Sequence, residues 1–270
     1  MISYLLHWRK NSDKPDVVPE KLQSSIDPKI LLLILGIVVT FQIYLYGAYP
    51  NPDNASKLVD VISIINPLIA SVAAFIVAKK YWGSKIFGKA YLVLAIGLTM
   101  NFLGETVYGI YDTLGYDTSF GPMDILFYTF YPLVLAHLVL NIRFFKPKIS
   151  LFTKLWVIAI PAAIISVYSV LSFEKQGEAN FTFYTGLIYV VMSSIILSGT
   201  LLGARVFKQG VLGKAWLVLL IGIILQTSGD VWYGYLDTFD QYTLTHPMNL
   251  LYYASYMVIT YALYKHQKII

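Results

Sequence analysis

Two sets of polar residues in this sequence have the types and the spacing needed for chemistry. They are Asn101, Glu105, Tyr108 and Asp112, followed by Gln226, Asp230, Tyr233 and Asp237. In each set the steps are four, three and four residues, which places the side chains on one face of a helix. Carboxylates beside a tyrosine on one helical face can bind a small polar or cationic ligand, or hold an ion.

Both sets lie in long apolar segments, where a charge is unfavourable. A charged side chain at the centre of a bilayer costs about 2.5–3.5 kcal/mol on insertion scales, so these faces are predicted to turn toward the protein interior or a wet pocket. Glu105 and Asp230 precede Asp112 and Asp237 by seven residues, which is about 10 Å along a helix. The eight residues are therefore predicted to line a ligand pocket near one end of their helices. A structural role remains the alternative, with the acids holding the helices in register through hydrogen bonds.

Three further residues are candidates for the same pocket, namely Asp124, His246 and Trp232. Asp124 follows Pro122, which favours a helix start, and a carboxylate there suits the positive end of the helix dipole. Trp232 offers an aromatic face for a cation, and His246 precedes Pro247, where the last helix is predicted to begin. The sequence contains no cysteine, and we predict neither a metal site nor a cofactor.

The composition identifies the solvent around most of the chain. Hydrophobic residues make up 57% of the 270 residues and charged residues 13%, whereas soluble domains contain about 25% charged residues. We therefore predict an all-α membrane protein with eight transmembrane helices, each long enough to cross about 30 Å of hydrocarbon. The spans are predicted at about 30–48, 58–78, 90–111, 122–142, 155–173, 182–204, 215–236 and 247–264.

The basic residues indicate the orientation in the membrane. Of the 20 lysines and arginines, 18 lie in the terminal segments or around the loops that follow the second, fourth and sixth helices. The positive-inside rule then predicts a multi-pass protein of the cell membrane with both termini cytoplasmic. The formal net charge of +5 thus reflects topology. It gives no support for nucleic-acid binding, and membrane lipid is the expected surrounding.

An internal repeat divides the chain into halves. Residues 88–131 align with residues 213–256 at a constant offset of 125, with 19 identities in 44 positions. We predict a cytoplasmic tail at 1–28 and two four-helix repeats at 29–145 and 154–268. An even number of spans gives both repeats the same orientation, and such parallel repeats are related by a pseudo-two-fold axis along the membrane normal.

Short motifs surround the polar sets in both halves. They are Gly104-Glu105, Gly121-Pro122-Met123-Asp124 and Tyr131-Pro132, then Gly229-Asp230-Val231-Trp232 and His246-Pro247-Met248-Asn249. Together they resemble the multi-pass N-terminal sensory modules of prokaryotic diguanylate cyclases and histidine kinases. That resemblance implies a module that senses a ligand or the state of the membrane. Ser228-Gly229-Asp230 and His137 are also faintly similar to the YhhN-type lysoplasmalogenases, which are eight-helix membrane hydrolases.

We therefore expect a sensor or receptor-like module without an attached output domain, rather than an enzyme. Its expected partners are a small polar or cationic ligand from the outer side and a cytoplasmic or membrane protein. A hydrolase of the lysoplasmalogenase type is the alternative, in which Glu105 and Asp230 approach closely enough to hold a metal or share a proton. A small-solute or ion transporter is less favoured, because Ala90–Leu98 and Ala215–Ile224 contain no charge.

Overall fold

The protein is all-helical throughout the part of the chain that the structure describes. The computed structural model describes residues 26–48, 52–84, 86–118, 120–144, 148–207, 213–243 and 245–267, so the predicted tail at 1–28 lies almost entirely outside it. Helices α1 to α8 are, in order, Pro28–Ala48, Pro52–Lys80, Phe87–Leu114, Pro122–Phe144, Leu151–Gln176, Phe181–Val206, Gly213–Thr238 and Asn249–Gln267. No strand occurs in these ranges, and the predicted helical class is confirmed.

Seven helices, α1 to α7, are long and apolar enough to cross a membrane. The chain is therefore a multi-pass membrane protein. Helix α8 is less apolar, because five of its 19 residues are tyrosines. It packs along α1, α2 and α7, so most of its polar side chains meet protein rather than lipid, and this packing explains how the helix tolerates them.

The helices pack as a ring of six with two peripheral helices. Helix α2 contacts α3, α3 contacts α4, α4 contacts α6, α6 contacts α7, α7 contacts α8, and α8 contacts α2. Outside this ring, α1 packs on α8 and α2, and α5 packs on α6 and α7. Helices α1 and α5 are the least buried of the seven candidate spans, and their large apolar side chains form an exposed surface suited to lipid.

One end of the ring is filled by packed side chains. We call it the basic end, because Lys80, Lys89, Arg143, Arg205 and Lys214 lie there, at the end of α2, α4 and α6 or the start of α3 and α7. The side chains packed inside the ring at this end are almost completely buried, and they include Tyr91, Leu94, Leu138, Trp216, Leu219, Leu263 and His266.

Polar contacts tie the helices together at the basic end. The Tyr91 hydroxyl lies 3.1 Å from His266 Nε2, and His137 Nδ1 lies 2.9 Å from the carbonyl oxygen of Ala90. Lys80 Nζ donates to the carbonyl of His266 at 3.0 Å, next to the end of α8. Four helices are therefore joined where the ring is closed.

Local sequence signals set where the helices end at the opposite side of the ring. Helix α3 ends at Leu114 and is capped by Gly115, which has φ +71° and donates its N–H to the carbonyl of Asp112 at 3.0 Å. Glycine adopts this left-handed conformation without steric cost. Helix α4 begins at Pro122 as predicted, whereas α8 begins at Asn249 rather than at Pro247. Pro247 lies in a turn in which Asn249 N donates to His246 O.

A glycine sets the distance between α7 and α8. A Cβ added at Gly222 would lie 2.5 Å from Ile259 Cγ1 and 3.1 Å from the Ile259 backbone nitrogen. Only a residue without a side chain permits this approach. Helix α8 thereby lies close enough to α7 for both to line the same interior space.

Candidate functional site

A large cavity occupies the ring at the end opposite the basic end. Its volume is about 870 Å³, and side chains from α2 to α8 line it. Both predicted polar sets lie on its wall, namely Asn101, Glu105, Tyr108, Asp112, Gln226, Asp230, Tyr233 and Asp237. Helices α3 and α7 do not pack on each other in the described residues, so the two sets face one another across open space.

The three additional candidates separate into two locations. Asp124 lines the cavity, whereas His246 and Trp232 are not among its lining residues. The ring centroids of His246 and Trp232 are 5.6 Å apart in an edge-to-face arrangement, and His246 Nδ1 accepts a hydrogen bond from Met248 N at 3.1 Å. These two residues stabilise the turn before α8, and the structure does not bring them to the acids.

Helix α2 contributes polar residues that sequence reasoning missed. Asp60, Ser63 and Asn66 all line the cavity. Their spacing of three residues places them on one helical face, which is the signal that could have revealed them. Pro67 has no N–H, so the carbonyl of Ser63 lacks its usual helical donor. The α2 wall thus supplies a carboxylate and several hydrogen-bond acceptors.

The carboxylate of Asp230 is surrounded by donors from the protein itself. Ser193 Oγ donates to it at 3.3 Å and Gln226 Nε2 at 3.5 Å. The hydroxyls of Tyr131 and Tyr252 lie near this carboxylate and can also donate to it. Donors from four helices therefore converge on one acid, which is the arrangement expected where a buried charge is stabilised in place.

Asp124 is similarly satisfied. Its Oδ2 accepts a hydrogen bond from Gly121 N at 2.7 Å, just before the first turn of α4, and its Oδ1 accepts one from the Tyr189 hydroxyl at 2.7 Å. The first contact caps the helix start and the second joins α4 to α6. Both oxygens of this acid have partners within the protein.

Glu105 has a different environment from Asp230, although the two residues align at the offset of 125 positions. Among the described residues, no hydrogen-bond donor reaches its carboxylate. Its electrostatic neighbours are the acids Asp60 and Asp230, and Asp60 in turn lies near Asp112. The α2–α3 wall of the cavity therefore concentrates like charges that the described part of the protein does not pair.

Hydrogen bonds between helices form the floor of the cavity. Asn101 Nδ2 donates to the Tyr256 hydroxyl at 2.6 Å, joining α3 to α8. The Ser255 hydroxyl donates to Gln226 Oε1 at 3.0 Å, joining α8 to α7. Below this level the interior is filled by the packed side chains of the basic end. The cavity is thus closed in that direction.

Tyrosines supply much of the remaining wall. Nine of them line the cavity, at positions 108, 131, 168, 189, 233, 242, 252, 253 and 256. Burial raises the pKa of Tyr242, in the loop after α7, to about 12, so this phenol remains protonated at neutral pH and donates to Asn249 Oδ1 at 3.3 Å. Phenol rings with their hydroxyls protonated offer both π faces and hydrogen-bonding groups to a ligand.

The charge of the lining is strongly acidic. Seven carboxyl groups line the cavity, from Asp60, Glu105, Asp112, Asp124, Asp230, Asp237 and Asp240. Lys175 is the one lysine among the lining residues that the structure describes, and its Nζ lies 3.0 Å from Asp240 Oδ2. The electrostatic field of this cavity therefore favours cations.

The arrangement of the acids does not suit a metal ion within the described residues. No three histidine, cysteine, aspartate or glutamate side chains come together there in a group that could hold one. The acids are instead spread over α2, α3, α4 and α7 around a large space. Acids distributed in this way can surround an organic molecule that makes several polar and apolar contacts with the wall.

Comparisons with known proteins do not assign a function, so the function is inferred from the site. No family model matches the sequence, and no curated protein or solved structure matches it significantly.

Proposed function

We propose that this protein is an integral membrane receptor-like module that binds a small organic cation in the acidic cavity. The observation that carries the proposal is the position of the cavity: acids and tyrosines line it at one end of the ring, and packed side chains close it toward the basic end. In the part of the chain that the structure describes, a ligand that enters from the open end meets packed side chains rather than a continuous polar path through the ring.

The size and chemistry of the cavity support an organic ligand. Its volume of about 870 Å³ lies within the range of about 300–1,000 Å³ that is typical of small-molecule pockets. Seven carboxyl groups and a single lysine among the described lining residues favour positive charge. The tyrosine faces can contact a cation through their π electrons, each worth about 0.5–2 kcal/mol depending on desolvation.

The orientation we propose follows from the positive-inside rule. The basic end faces the cytoplasm, both termini are cytoplasmic, and the cavity opens to the outer side. Helix α8 is then an eighth span, held within the ring by α2 and α7. Under this topology the ligand is extracellular, and a cytoplasmic or membrane protein that contacts the basic end would receive the signal.

The packing order of the ring supports a parallel repeat. When α2, α3 and α4 are exchanged with α6, α7 and α8, respectively, every contact of the ring maps onto another observed contact. This is the behaviour expected of two halves related by a pseudo-two-fold axis along the membrane normal. The cavity then lies on that axis, between the repeats.

The proposal is tested by the thermal stability of the purified protein in detergent. A ligand that binds only the folded state raises the melting temperature, so tetramethylammonium or n-butylammonium chloride should raise it in the millimolar range. Sodium butyrate and n-butanol at the same concentration and ionic strength should not. Asp237→Asn, at the wall of the cavity, should reduce the effect, while Glu174→Gln, an exposed acid outside the lining, should leave it unchanged.

Two results would overturn the proposal. Equal shifts for cations, butyrate and n-butanol would show that no selective cation site exists. Uptake of radiolabelled tetramethylammonium or n-butylammonium into proteoliposomes that contain the protein would favour a transporter over a receptor-like module.

A further inference from the structure

The two halves of the cavity differ in how their acids are satisfied. Asp230 accepts a hydrogen bond from Ser193, and the hydroxyl donor of Tyr252 lies near its carboxylate. At the offset of 125 residues, these two donors correspond to Leu68 and Phe127, which have no group able to donate. Two of the donors around Asp230 are therefore replaced by apolar side chains in the half that contains Glu105. The other two, Gln226 and Tyr131, correspond to Asn101 and Tyr256, which hydrogen-bond to each other at 2.6 Å.

A second difference concerns a pair of corresponding tyrosines. The hydroxyl of Tyr128 donates to the carbonyl of Thr185 at 3.3 Å, joining α4 to α6. The corresponding residues in the other half are Tyr253 on α8 and Asp60 on α2. Tyr253 lines the cavity and is only 5% exposed, yet its hydroxyl has no hydrogen-bond partner among the described residues. A buried polar group of this kind is unfavourable unless a partner pairs with it.

The unpartnered groups lie on neighbouring walls of the cavity. Asp60, Glu105 and Tyr253 all line it, and α2, which contains Asp60, packs on both α3 and α8. Tyr253 is an electrostatic neighbour of both acids, and the two acids are neighbours of each other. Among the described residues, neither carboxylate receives a hydrogen bond. We call Asp60, Glu105 and Tyr253 the ammonium subsite.

We propose that the ammonium subsite binds the –NH₃⁺ group of a primary amine, and that the carboxylate of Asp230 is a structural acceptor. This assignment rests on the proposed function and specifies its ligand class. An alkylammonium group has three N–H donors and no acceptor. The subsite offers three acceptors, namely the two carboxylates and the oxygen of the Tyr253 hydroxyl, so each N–H has a partner. The single positive charge of the ammonium offsets one of the two negative charges and reduces the repulsion between the carboxylates.

The organic part of the amine extends into the rest of the cavity. Tyr108 and Tyr233 lie on its facing walls, and their rings can contact aliphatic or aromatic carbon. The subsite recognises N–H groups, so successive methylation of the nitrogen removes one hydrogen bond at each step. A cage that bound cations only through aromatic faces would show no such loss.

The first test compares n-butylammonium with N,N,N-trimethylbutylammonium by isothermal titration calorimetry on the full chain in detergent. Both ions keep the same charge and alkyl chain. We expect the dissociation constant to increase at least tenfold from the primary to the quaternary ion. Equal or tighter binding of the quaternary ion would overturn the subsite and leave the proposed function standing, whereas binding of neither ion would contradict the proposed function itself.

The second test assigns the subsite to its residues. Glu105→Gln and Asp60→Asn should each weaken n-butylammonium binding at least tenfold, and Tyr253→Phe should weaken it severalfold. Asp230→Asn should weaken binding per folded molecule less than Glu105→Gln does, and Glu174→Gln should bind like the wild type. The folded fraction of each variant is measured from its thermal melt.

The order of these effects decides the assignment. If Asp230→Asn abolishes binding while Glu105→Gln and Asp60→Asn retain it, the cation lies on the α7 side and the subsite is wrong. If Glu105→Gln does not fold, Asp60→Asn and Tyr253→Phe carry the same comparison. Wild-type affinity in both would then overturn the proposal.

Discussion

Asp230→Asn should destabilise the protein strongly, although it removes no atom from the packing. Ser193, Gln226, Tyr131 and Tyr252 direct donors at the carboxylate. An asparagine keeps one accepting oxygen and turns the other into a donor, so about two of these hydrogen bonds are lost. Hydrogen bonds to charged groups contribute about 1.5–3 kcal/mol each, and the long distances of 3.3 Å to Ser193 and 3.5 Å to Gln226 favour the lower value. We expect a loss of about 3 kcal/mol in the free energy of unfolding.

Glu105→Gln should have a much smaller effect on stability. Its carboxylate receives no hydrogen bond from the described residues, and its electrostatic neighbours are the acids Asp60 and Asp230. Removing the charge breaks no observed contact and relieves repulsion. We therefore expect the free energy of unfolding to change by about 0–1 kcal/mol, as for a substitution that breaks no structural contact.

The comparison is made by reversible unfolding in mixed micelles without any amine, followed through tryptophan fluorescence. Ser193→Ala and the double variant Ser193→Ala/Asp230→Asn complete a mutant cycle that isolates the hydrogen bond between the two side chains. Glu174→Gln serves as the matched control for loss of a carboxylate. Equal destabilisation by Glu105→Gln and Asp230→Asn would refute the distinction between a structural and an unpaired acid.

Three further predictions follow from the fold and the charges. A cysteine at Thr243 should react with an impermeant thiol reagent in intact cells while one at Lys148 should not, and labelling of Thr243→Cys only after lysis would contradict the topology. Gly222→Ala should destabilise the protein by about 1–3 kcal/mol through overpacking against α8, whereas Gly36→Ala, with nothing within 4 Å of the added Cβ, should melt within a degree or two of the wild type. Lys175→Gln removes a positive charge from the cavity wall, so it should tighten n-butylammonium binding severalfold in calorimetry. The free energy of unfolding should change by less than about 1 kcal/mol. Weaker binding of n-butylammonium would show that the electrostatic field of the cavity does not select cations.

The helices could be predicted closely from the sequence. Continuous apolar runs of the right length specify helices because lipid leaves backbone groups no partner outside their own helix. The start of α8 differs from the prediction. Pro247, the predicted first residue, lies in a turn with Met248, and the helix begins at Asn249. A proline signal gives the approximate position of a helix start, while the contacts of the neighbouring turn fix the residue.

The polar sets could also be predicted, because an acid in an apolar segment must avoid lipid. Helical spacing was sufficient to place Glu105 and Asp230 on the inner face of their helices. The positions of His246 and Trp232 could not be predicted from spacing, since they depend on how the loop before α8 folds back. The structure pairs these two rings with each other, away from the acids.

The sequence by itself determined that this chain is helical, that it crosses a membrane several times, and which residues of α3 and α7 face inward. Only the tertiary structure decided which acid is paired. Glu105 and Asp230 align with each other at the offset of 125 residues, but the groups near each carboxylate come from other helices: Ser193 on α6 for Asp230, and Asp60 on α2 near Glu105. A hydrogen bond between helices depends on which side chains meet across the ring, and residues far apart in the chain acquire that relation only when the helices pack.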